Sequence, residues 1–187
     1  HAGFYPDSKT LSMKLLFREN GEILGAQIVG FEGTDKRIDI ISTVIHGHMT
    51  VSDLAELELA YAPAFGSAKD AVNIAGYVAQ NYLEGLVDFF YPEDIADLRD
   101  TDGVFLDVRT QKEFERGHME GAVHIPVDSL RERMNELDKS KPLYVYCGVG
   151  LRGYVAYRIL VQEGFKVSNL AGGMTLYNAI NEDNKKR

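Results

Sequence analysis

The sequence has only one cysteine, Cys147, among its 187 residues. A single thiol cannot form an internal disulfide, which excludes a disulfide-stapled secreted scaffold and favours a reducing compartment such as the cytoplasm. No apolar run approaches the roughly 20 residues that a membrane-spanning helix needs, and no signal-peptide pattern is present. Positive charge is also scarce, because 20 Lys and Arg stand against 28 Asp and Glu. The net charge of -8 argues against nucleic acid or an anionic membrane as a partner.

The chain does not begin with methionine, and its opening letters, HAGFYP, predict a piece of a longer protein. An apolar fraction of 45% and a charged fraction of 26% are ordinary for a soluble globular protein. The length allows one large domain or two small ones. The pattern along the chain favours two, since the two halves differ in the order of their predicted strands and helices.

The first half is predicted to be an α+β domain. Asn20-Gly21 separates two apolar runs, which predicts a β-hairpin closed by a two-residue primed turn. Apolar residues alternate before the turn at Met13, Leu15 and Phe17, and after it at Leu24, Ala26 and Ile28. Residues 36–47 then change to helical spacing. Two capping-box patterns, Thr50 with Asp53 and Ser67 with Asp70, precede further apolar-periodic segments.

The second half is predicted to be an α/β domain in which a parallel sheet is flanked by helices. Strands are expected at 103–109, 122–126, 141–147 and 167–170, with helical segments between them. Thr110 is a predicted helix cap, and either Asp128 or Ser129 could cap the next helix, with Ser129 and Glu132 at capping-box spacing. Gly164 is a predicted helix stop, and a last short helix should begin at Thr175. The expected domains are residues 1–82 and 93–187, with a linker at 83–92.

The only thiol lies in the stretch YVYCGVGLRGY, residues 144–154, between a predicted strand and a predicted helix. Ligands of open parallel sheets bind beyond the carboxyl ends of the strands, which is where Cys147 should lie. Glycines after the thiol permit a tight loop of inward-pointing amides, and the helix N-terminus adds positive potential. This setting should stabilise a thiolate and make Cys147 a nucleophile, with Arg152 able to hold an anionic sulfur donor. The structural alternative is an inert thiol that ends a buried strand.

The loop CGVGLRG resembles the active-site loop of rhodanese domains, which are sulfurtransferases. The segments FLDVRTQKEFERGHMEGAVHIP and NLAGGM resemble the rest of that family's pattern, so that the likeness covers about residues 90–180. The resemblance implies that Cys147 accepts a sulfane sulfur and becomes a persulfide. It implies a binding loop that, together with Arg152, holds the persulfide; its residues are Gly148, Val149, Gly150, Leu151 and Gly153.

Three further residues of this pattern are expected to be structural. Asp107 and Arg109 resemble the family's strand-end pair, and His124 stands where asparagine is commoner. Cysteine-dependent phosphatases are the rival class, because they also place a thiolate in a loop closed by arginine. Their loop has five residues between the cysteine and the arginine, whereas four intervene here. A shorter loop fits a single sulfur better than a tetrahedral phosphate, so sulfur transfer is favoured.

The first half resembles the C-terminal dimerisation domain of flavoprotein disulfide reductases. The segments that carry the likeness are HAGFYP, GAQIVGFEGTDKRIDIIS and LELAYAPAFGSAKDAVNIAGY. Within that family the coenzyme A-disulfide reductase and persulfide reductase branch is most similar, and there a rhodanese domain can follow. The resemblance implies a homodimer formed through residues 1–82. It also implies FAD, NAD(P)H and coenzyme A for the full-length protein, with no cofactor bound by this piece, which has no dinucleotide-binding fingerprint.

Tyrosines of that dimerisation domain contribute to the partner subunit's active site. Tyr61 matches one such position, and Phe4-Tyr5 stand where the family has two tyrosines. By resemblance, Tyr61 and Tyr5 are therefore candidates, with an aromatic packed in the dimer interface as the alternative. His46 and His48 are not expected to bind a metal, since no further ligands lie at suitable spacing.

The function that the sequence favours is sulfane-sulfur transfer through Cys147, with coenzyme A persulfide or polysulfide as donor. The sulfur would feed a flavin-dependent reductase. A non-catalytic thiol-binding module on an obligate dimerisation domain is the alternative.

Overall fold

A computed structural model describes residues 5–63 and 65–184 of the chain. The chain divides into two compact units between Gly85 and Leu86. The first is a mixed α+β unit, and the second is an α/β unit with a parallel five-stranded sheet. The fold class predicted from the sequence is confirmed.

Unit 1 comprises an antiparallel hairpin and three helices. Its elements are β1 (Leu11–Phe17), β2 (Ile23–Gly30), α1 (Thr34–His46), α2 (Val51–Glu56) and α3 (Ala71–Leu83). The buried face of the hairpin packs against an aliphatic core that the helices supply, with Ile41, Leu54 and Val72 fully buried. Burial of this apolar face is what holds so small a unit together.

The hairpin differs from its prediction in two details. The Gly21 amide donates to Arg18 O at 2.8 Å, and Gly21 alone of the loop residues has a positive φ, +85°. The loop is therefore a three-residue turn that ends in a left-handed glycine, and not the predicted two-residue primed turn. A register shift beside Phe17 then pairs that residue with Ile23, which is buried, and leaves Leu24 half-exposed. Leu24 therefore does not share the buried side of the strand with Ala26 and Ile28, because the bulge shifts the alternation by one residue.

The helices of unit 1 begin at side-chain caps. Thr50 and Asp53 form the predicted capping box of α2. The predicted box of Ser67 with Asp70 is wrong, because Asp70 is itself the N-cap of α3 and pairs reciprocally with Asn73. Asp70 also accepts two bonds from the buried guanidinium of Arg37, at 2.9 and 2.8 Å. The Asp70 carboxylate both caps α3 and binds the buried Arg37 guanidinium, so Ser67 is not the cap of this helix.

Unit 2 is a parallel sheet with strand order β3-β7-β6-β4-β5 and helices on both faces. Its strands are β3 (Phe89–Phe90), β4 (Val104–Asp107), β5 (Val123–His124), β6 (Leu143–Tyr146) and β7 (Val167–Leu170). Its α-helices are α4 (Ile95–Leu98), α5 (Gln111–Arg116), α6 (Leu130–Arg133), α7 (Leu151–Gln162) and α8 (Gly173–Asn184). Strand β3 and the end of α3 lie inside the range predicted as a linker, 83–92, so residues 89 and 90 form part of the sheet.

The central strand β6 is buried on both faces, and its side chains alternate between two cores. Leu143 and Val145 join the core against α7, whereas Tyr144 and Tyr146 join an aromatic core on the other face. Cys147 continues the first series and lies on the α7 side of the sheet. The alternation therefore places the thiol directly beneath the start of α7.

Helix ends of unit 2 agree with the sequence in part. Thr110 caps α5 and Gly164 follows the end of α7, as predicted. Ser129 makes no side-chain cap bond, so its predicted capping box is wrong; α6 is one turn flanked by 3₁₀ turns. Helix α8 begins at Gly173 and not at Thr175, and it runs for 12 residues. Among the described residues, no helix combines the length and apolar character needed to cross a membrane.

Candidate active site

The site forms where β6 ends and α7 begins. Cys147 is the first residue after β6, and only 1% of its surface is exposed. The Gly150 amide donates to the Cys147 Sγ at 3.2 Å. Gly150 adopts a φ of +119°, which L side chains rarely adopt, so glycine is required to turn this amide toward the sulfur. One backbone amide of the loop, that of Gly150, therefore donates to the sulfur atom.

The loop is held from below by Asn169 on β7. The Asn169 Nδ2 donates to Gly150 O at 3.3 Å, and this residue is 2% exposed. Its Oδ1 has no hydrogen-bond partner among the described residues, although it is buried. The same oxygen lies so close to Gly153 that a Cβ there would overlap it. Asn169 therefore fixes the residue that donates to the thiol, and Gly153 leaves the room that this requires.

The start of α8 holds the loop from a second side. Met174 N donates to Cys147 O at 2.8 Å, and Thr175 N donates to Gly148 O at 3.0 Å. Gly173, with a φ of +60°, allows this approach, since a Cβ there would lie 2.6 Å from Gly148 O. The N-terminal amides of α8, which lack partners inside the helix, thus satisfy two carbonyls of the cysteine loop.

The Arg152 guanidinium is not an isolated positive charge. Its Nη1 and Nη2 donate to both carboxylate oxygens of Glu113, at 2.7 and 2.6 Å. Hydrogen bonding to Arg152 holds the pKa of Glu113 far below its usual range, and a bond from Thr110 acts in the same direction. The bond to Glu113 in turn raises the pKa of Arg152. The predicted anion-binding arginine thus lies beside the loop already paired with a carboxylate.

Asp107 and Arg109 pair with each other at the end of β4. The Arg109 guanidinium donates to both oxygens of fully buried Asp107 and to Gly117 O. His124 contacts Arg109 O through Nε2 at 2.9 Å and stacks on the ring of Phe114. These contacts join the ends of β4 and β5 and agree with the structural roles expected of the three residues.

The remaining loop residues face outward. Val149 and Leu151 are each 70% exposed, so their side chains form an apolar rim over the backbone cradle. In unit 1, Tyr5 and Tyr61 both have exposed side chains. Phe4, which the sequence analysis compared with a functional tyrosine, lies outside the described residues.

Metal binding finds no support in the part of the chain that the structure describes. It contains no group of three or more His, Cys, Asp or Glu side chains that could hold an ion. His46 and His48 are exposed at the end of α1.

Three residues of the site were not identified from the sequence. Glu113 had a signal, since Thr110 and Glu113 have capping-box spacing. Gly173 stands in a double glycine, which predicts a turn but not its contact with the cysteine loop. Asn169 had no signal in the sequence that pointed to this role, because the role arises only when β7 packs beneath the loop.

Comparison with known proteins assigns both units to families. Residues 91–180 match the rhodanese-like domain, and residues 1–72 match the dimerisation domain of pyridine nucleotide-disulphide oxidoreductases. The chain therefore combines a segment that matches a disulphide-oxidoreductase dimerisation domain with a following segment that matches a rhodanese-like domain.

Similar proteins with known names or structures are considerably longer than this chain. The crystal structure of reduced Bacillus anthracis CoADR-RHD superposes with a TM-score of 0.94 at 43% identity, over 98% of this chain and 33% of that one. An NAD-dependent persulfide reductase from A. fulgidus gives 0.84 at 40% identity, over 92% and 31%. A coenzyme A disulfide reductase of Staphylococcus epidermidis is 42% identical over 81 residues, 43% of this chain and 18% of the relative. The chain thus spans about a fifth to a third of these relatives.

Proposed function

We propose that the rhodanese-like unit carries sulfane sulfur as a persulfide on Cys147. The observation that supports this most directly is the Gly150 amide, which donates to the Cys147 Sγ at 3.2 Å. A backbone donor fixed at the sulfur stabilises negative charge there, both on the thiolate that attacks and on the persulfide that forms. Gly148, Val149, Gly150, Leu151 and Gly153 would form the binding loop. Arg152 would complete the cradle.

The transfer needs no redox cofactor on this unit. The Cys147 thiolate attacks the outer sulfur of the donor, and a sulfur–sulfur bond forms as the donor's own bond to that sulfur breaks. The electron pair of the broken bond leaves with the donor remnant, a thiolate when the donor is a persulfide. In the second half the acceptor thiolate attacks the same outer sulfur, and the Cys147 thiolate is released. The enzyme therefore returns to its starting state after each transfer.

The names of the relatives suggest where the sulfur goes. They include a coenzyme A disulfide reductase and an NAD-dependent persulfide reductase. We infer that this chain is part of a disulfide or persulfide oxidoreductase, with coenzyme A persulfide or polysulfide as donor. FAD and NAD(P)H would be bound by domains outside this chain. The lone cysteine and the thiol chemistry both favour the cytoplasm.

Unit 1 would form the homodimer of that protein through residues 1–82. The match to the dimerisation family and the exposed aromatic side chains of this unit support the assignment. Tyr61, which is 56% exposed, and Tyr5 are candidates for reaching the active site of the partner subunit.

Mass spectrometry of the intact chain tests the persulfide. After brief exposure to polysulfide, wild type should gain one sulfur atom, and cyanide or excess thiol should remove it. Cys147→Ser should gain nothing, since no other cysteine is present. Sulfur gained equally by Cys147→Ser would contradict the proposal.

The burial of Cys147 favours a second candidate, a thiol-binding module without turnover. A thiol that is 1% exposed must be reached by movement of the loop or by a donor that enters it. This alternative predicts that Cys147→Ser binds a thiol ligand tightly, while wild type forms no persulfide with any donor.

A further inference from the structure

The ion pair beside the cysteine loop joins Arg152 to Glu113, and Glu113 is the residue that α5 contributes to the site. Glu113 is the third residue of α5, where its Oε2 accepts from the Thr110 amide at 3.0 Å and from the Thr110 Oγ1 at 2.7 Å. Both carboxylate oxygens also accept from Arg152. The Glu113 carboxylate is thus held by the Thr110 amide and hydroxyl and, independently of the cap, by two bonds to the Arg152 guanidinium.

This pair lies against the backbone that follows the thiol. A Cβ at Gly148 would lie 3.3 Å from Arg152 Nη2 and 3.7 Å from Glu113 Oε1. An anion held by the loop would therefore be attracted by Arg152 and repelled by Glu113. The charges of Arg152 and Glu113 cancel, because Glu113 stays ionised throughout the neutral range. An arginine alone would attract each added negative charge on a donor, whereas this pair does not.

We propose that Glu113 determines which sulfur donors the site accepts, by cancelling the charge of Arg152. The site then discriminates against donors in which a second negative charge lies directly beside the transferred sulfur, as in thiosulfate, and favours donors with a single charge there, such as thiosulfonates and alkyl persulfides. Glu113 acts through Arg152 and does not touch the reacting sulfur, so it is a specificity-determining residue and not a catalytic one. The inference rests on the proposed persulfide chemistry at Cys147.

Two donors with the same reactive group isolate the effect of charge. Thiosulfate, a dianion, gives its outer sulfur to the thiolate as its S–S bond breaks, and the electron pair leaves with sulfite. Methanethiosulfonate, a monoanion, reacts in the same way and releases methanesulfinate. Each reaction makes one S–S bond and breaks one, and the total charge is unchanged. The measured quantity is the ratio of kcat/KM for thiosulfate to that for methanethiosulfonate, which removes differences in overall activity between variants.

Glu113→Gln should raise this ratio roughly five- to tenfold, as expected when one charge is removed at a partly exposed site. Glutamine is also a good third residue of a capping box, so α5 should be preserved. Arg152→Gln leaves Glu113 unpaired and should lower the ratio below that of wild type. Because Glu113→Gln should raise the ratio and Arg152→Gln should lower it, loss of the fold cannot explain both results.

Two control variants separate charge from capping. Thr110→Val removes the cap hydroxyl but keeps the carboxylate, and Glu115→Gln removes a charge from the exposed side of the same helix. Both should leave the ratio at the wild-type value. An unchanged ratio in Glu113→Gln, or the same rise in Thr110→Val, would overturn the inference while wild-type transfer still supported the persulfide. If neither donor nor polysulfide loads wild-type Cys147, the proposed function fails and this inference with it.

Discussion

Asn169 shows how much of the site depends on a single side chain that never meets the substrate. Its amide nitrogen faces Gly150 O because that carbonyl can only accept, and this leaves Oδ1 buried without a partner among the described residues. A buried polar atom without a hydrogen bond costs roughly 1–3 kcal/mol. The same side chain is needed because its Nδ2 holds Gly150, whose backbone N–H donates to the Cys147 thiol.

The change of Asn169 to Asp tests this role with almost no change in shape. A carboxylate would place a second acceptor against Gly150 O and a buried charge beneath the loop. We expect a loss of roughly 3 kcal/mol in the free energy of unfolding at neutral pH, together with slower persulfide formation. Burial should raise the pKa of the new carboxyl. The loss should therefore shrink as the pH falls and the group becomes protonated and able to donate.

Chemical denaturation at neutral and mildly acidic pH measures both effects. Asn178→Asp is the matched control, because it makes the same substitution at an exposed position of α8. It should change stability by less than about 0.5 kcal/mol. Equal stability of the two variants at neutral pH would show that Asn169 does not hold the loop.

At the level of elements, α8 supports the cysteine loop through the close approach that Gly173 permits. Gly173→Ala would place a methyl group against Gly148 O and Cys147 O while keeping a positive φ. We expect a loss of about 2–4 kcal/mol in stability and a marked fall in the rate of persulfide formation, since α8 must move away from the loop.

Gly164→Ala is a control that separates the backbone strain of a positive φ from the steric clash of the added methyl group. Gly164 also has a positive φ, +85°, but a Cβ there would meet nothing within 4 Å. This variant should lose only about 1–2 kcal/mol and keep its full rate of persulfide formation. If Gly173→Ala reacts as fast as Gly164→Ala, the contact between α8 and the loop is not needed for the chemistry.

The elements also show which parts of the fold can be predicted from sequence. Local patterns sufficed for β6, for α7 and for the caps at Thr50 and Thr110, because a strand or a cap depends on residues close together in the chain. The buried pairing of Asp70 with Arg37 was not foreseen, because the two residues are 33 positions apart. Glu113 was missed as a site residue for the same reason, since Arg152 lies 39 residues further along. Pairings between distant charges require the fold before they can be recognised.

At the scale of the whole molecule, the most exposed aromatic side chains among the described residues lie in unit 1. Unit 1 presents large apolar side chains to solvent, with Val29 at 74%, Phe31 at 83% and Phe65 at 81%. Aromatic residues are enriched at protein–protein interfaces, and large exposed apolar patches often mark interaction sites. Together with the dimerisation-family match, they support the proposed homodimer of unit 1.

Analytical ultracentrifugation of the chain at micromolar concentration tests that dimer. Wild type should sediment as a dimer, and Phe31→Glu or Phe65→Glu should weaken association at least about tenfold, because burying a carboxylate in an interface costs more than about 1.4 kcal/mol. Val161→Glu is the control, since it adds the same charge at an exposed apolar position of unit 2. It should leave the dimer intact. A monomeric wild type would contradict the dimer, and equal weakening by all three variants would trace association to net charge and not to the aromatic surface of unit 1.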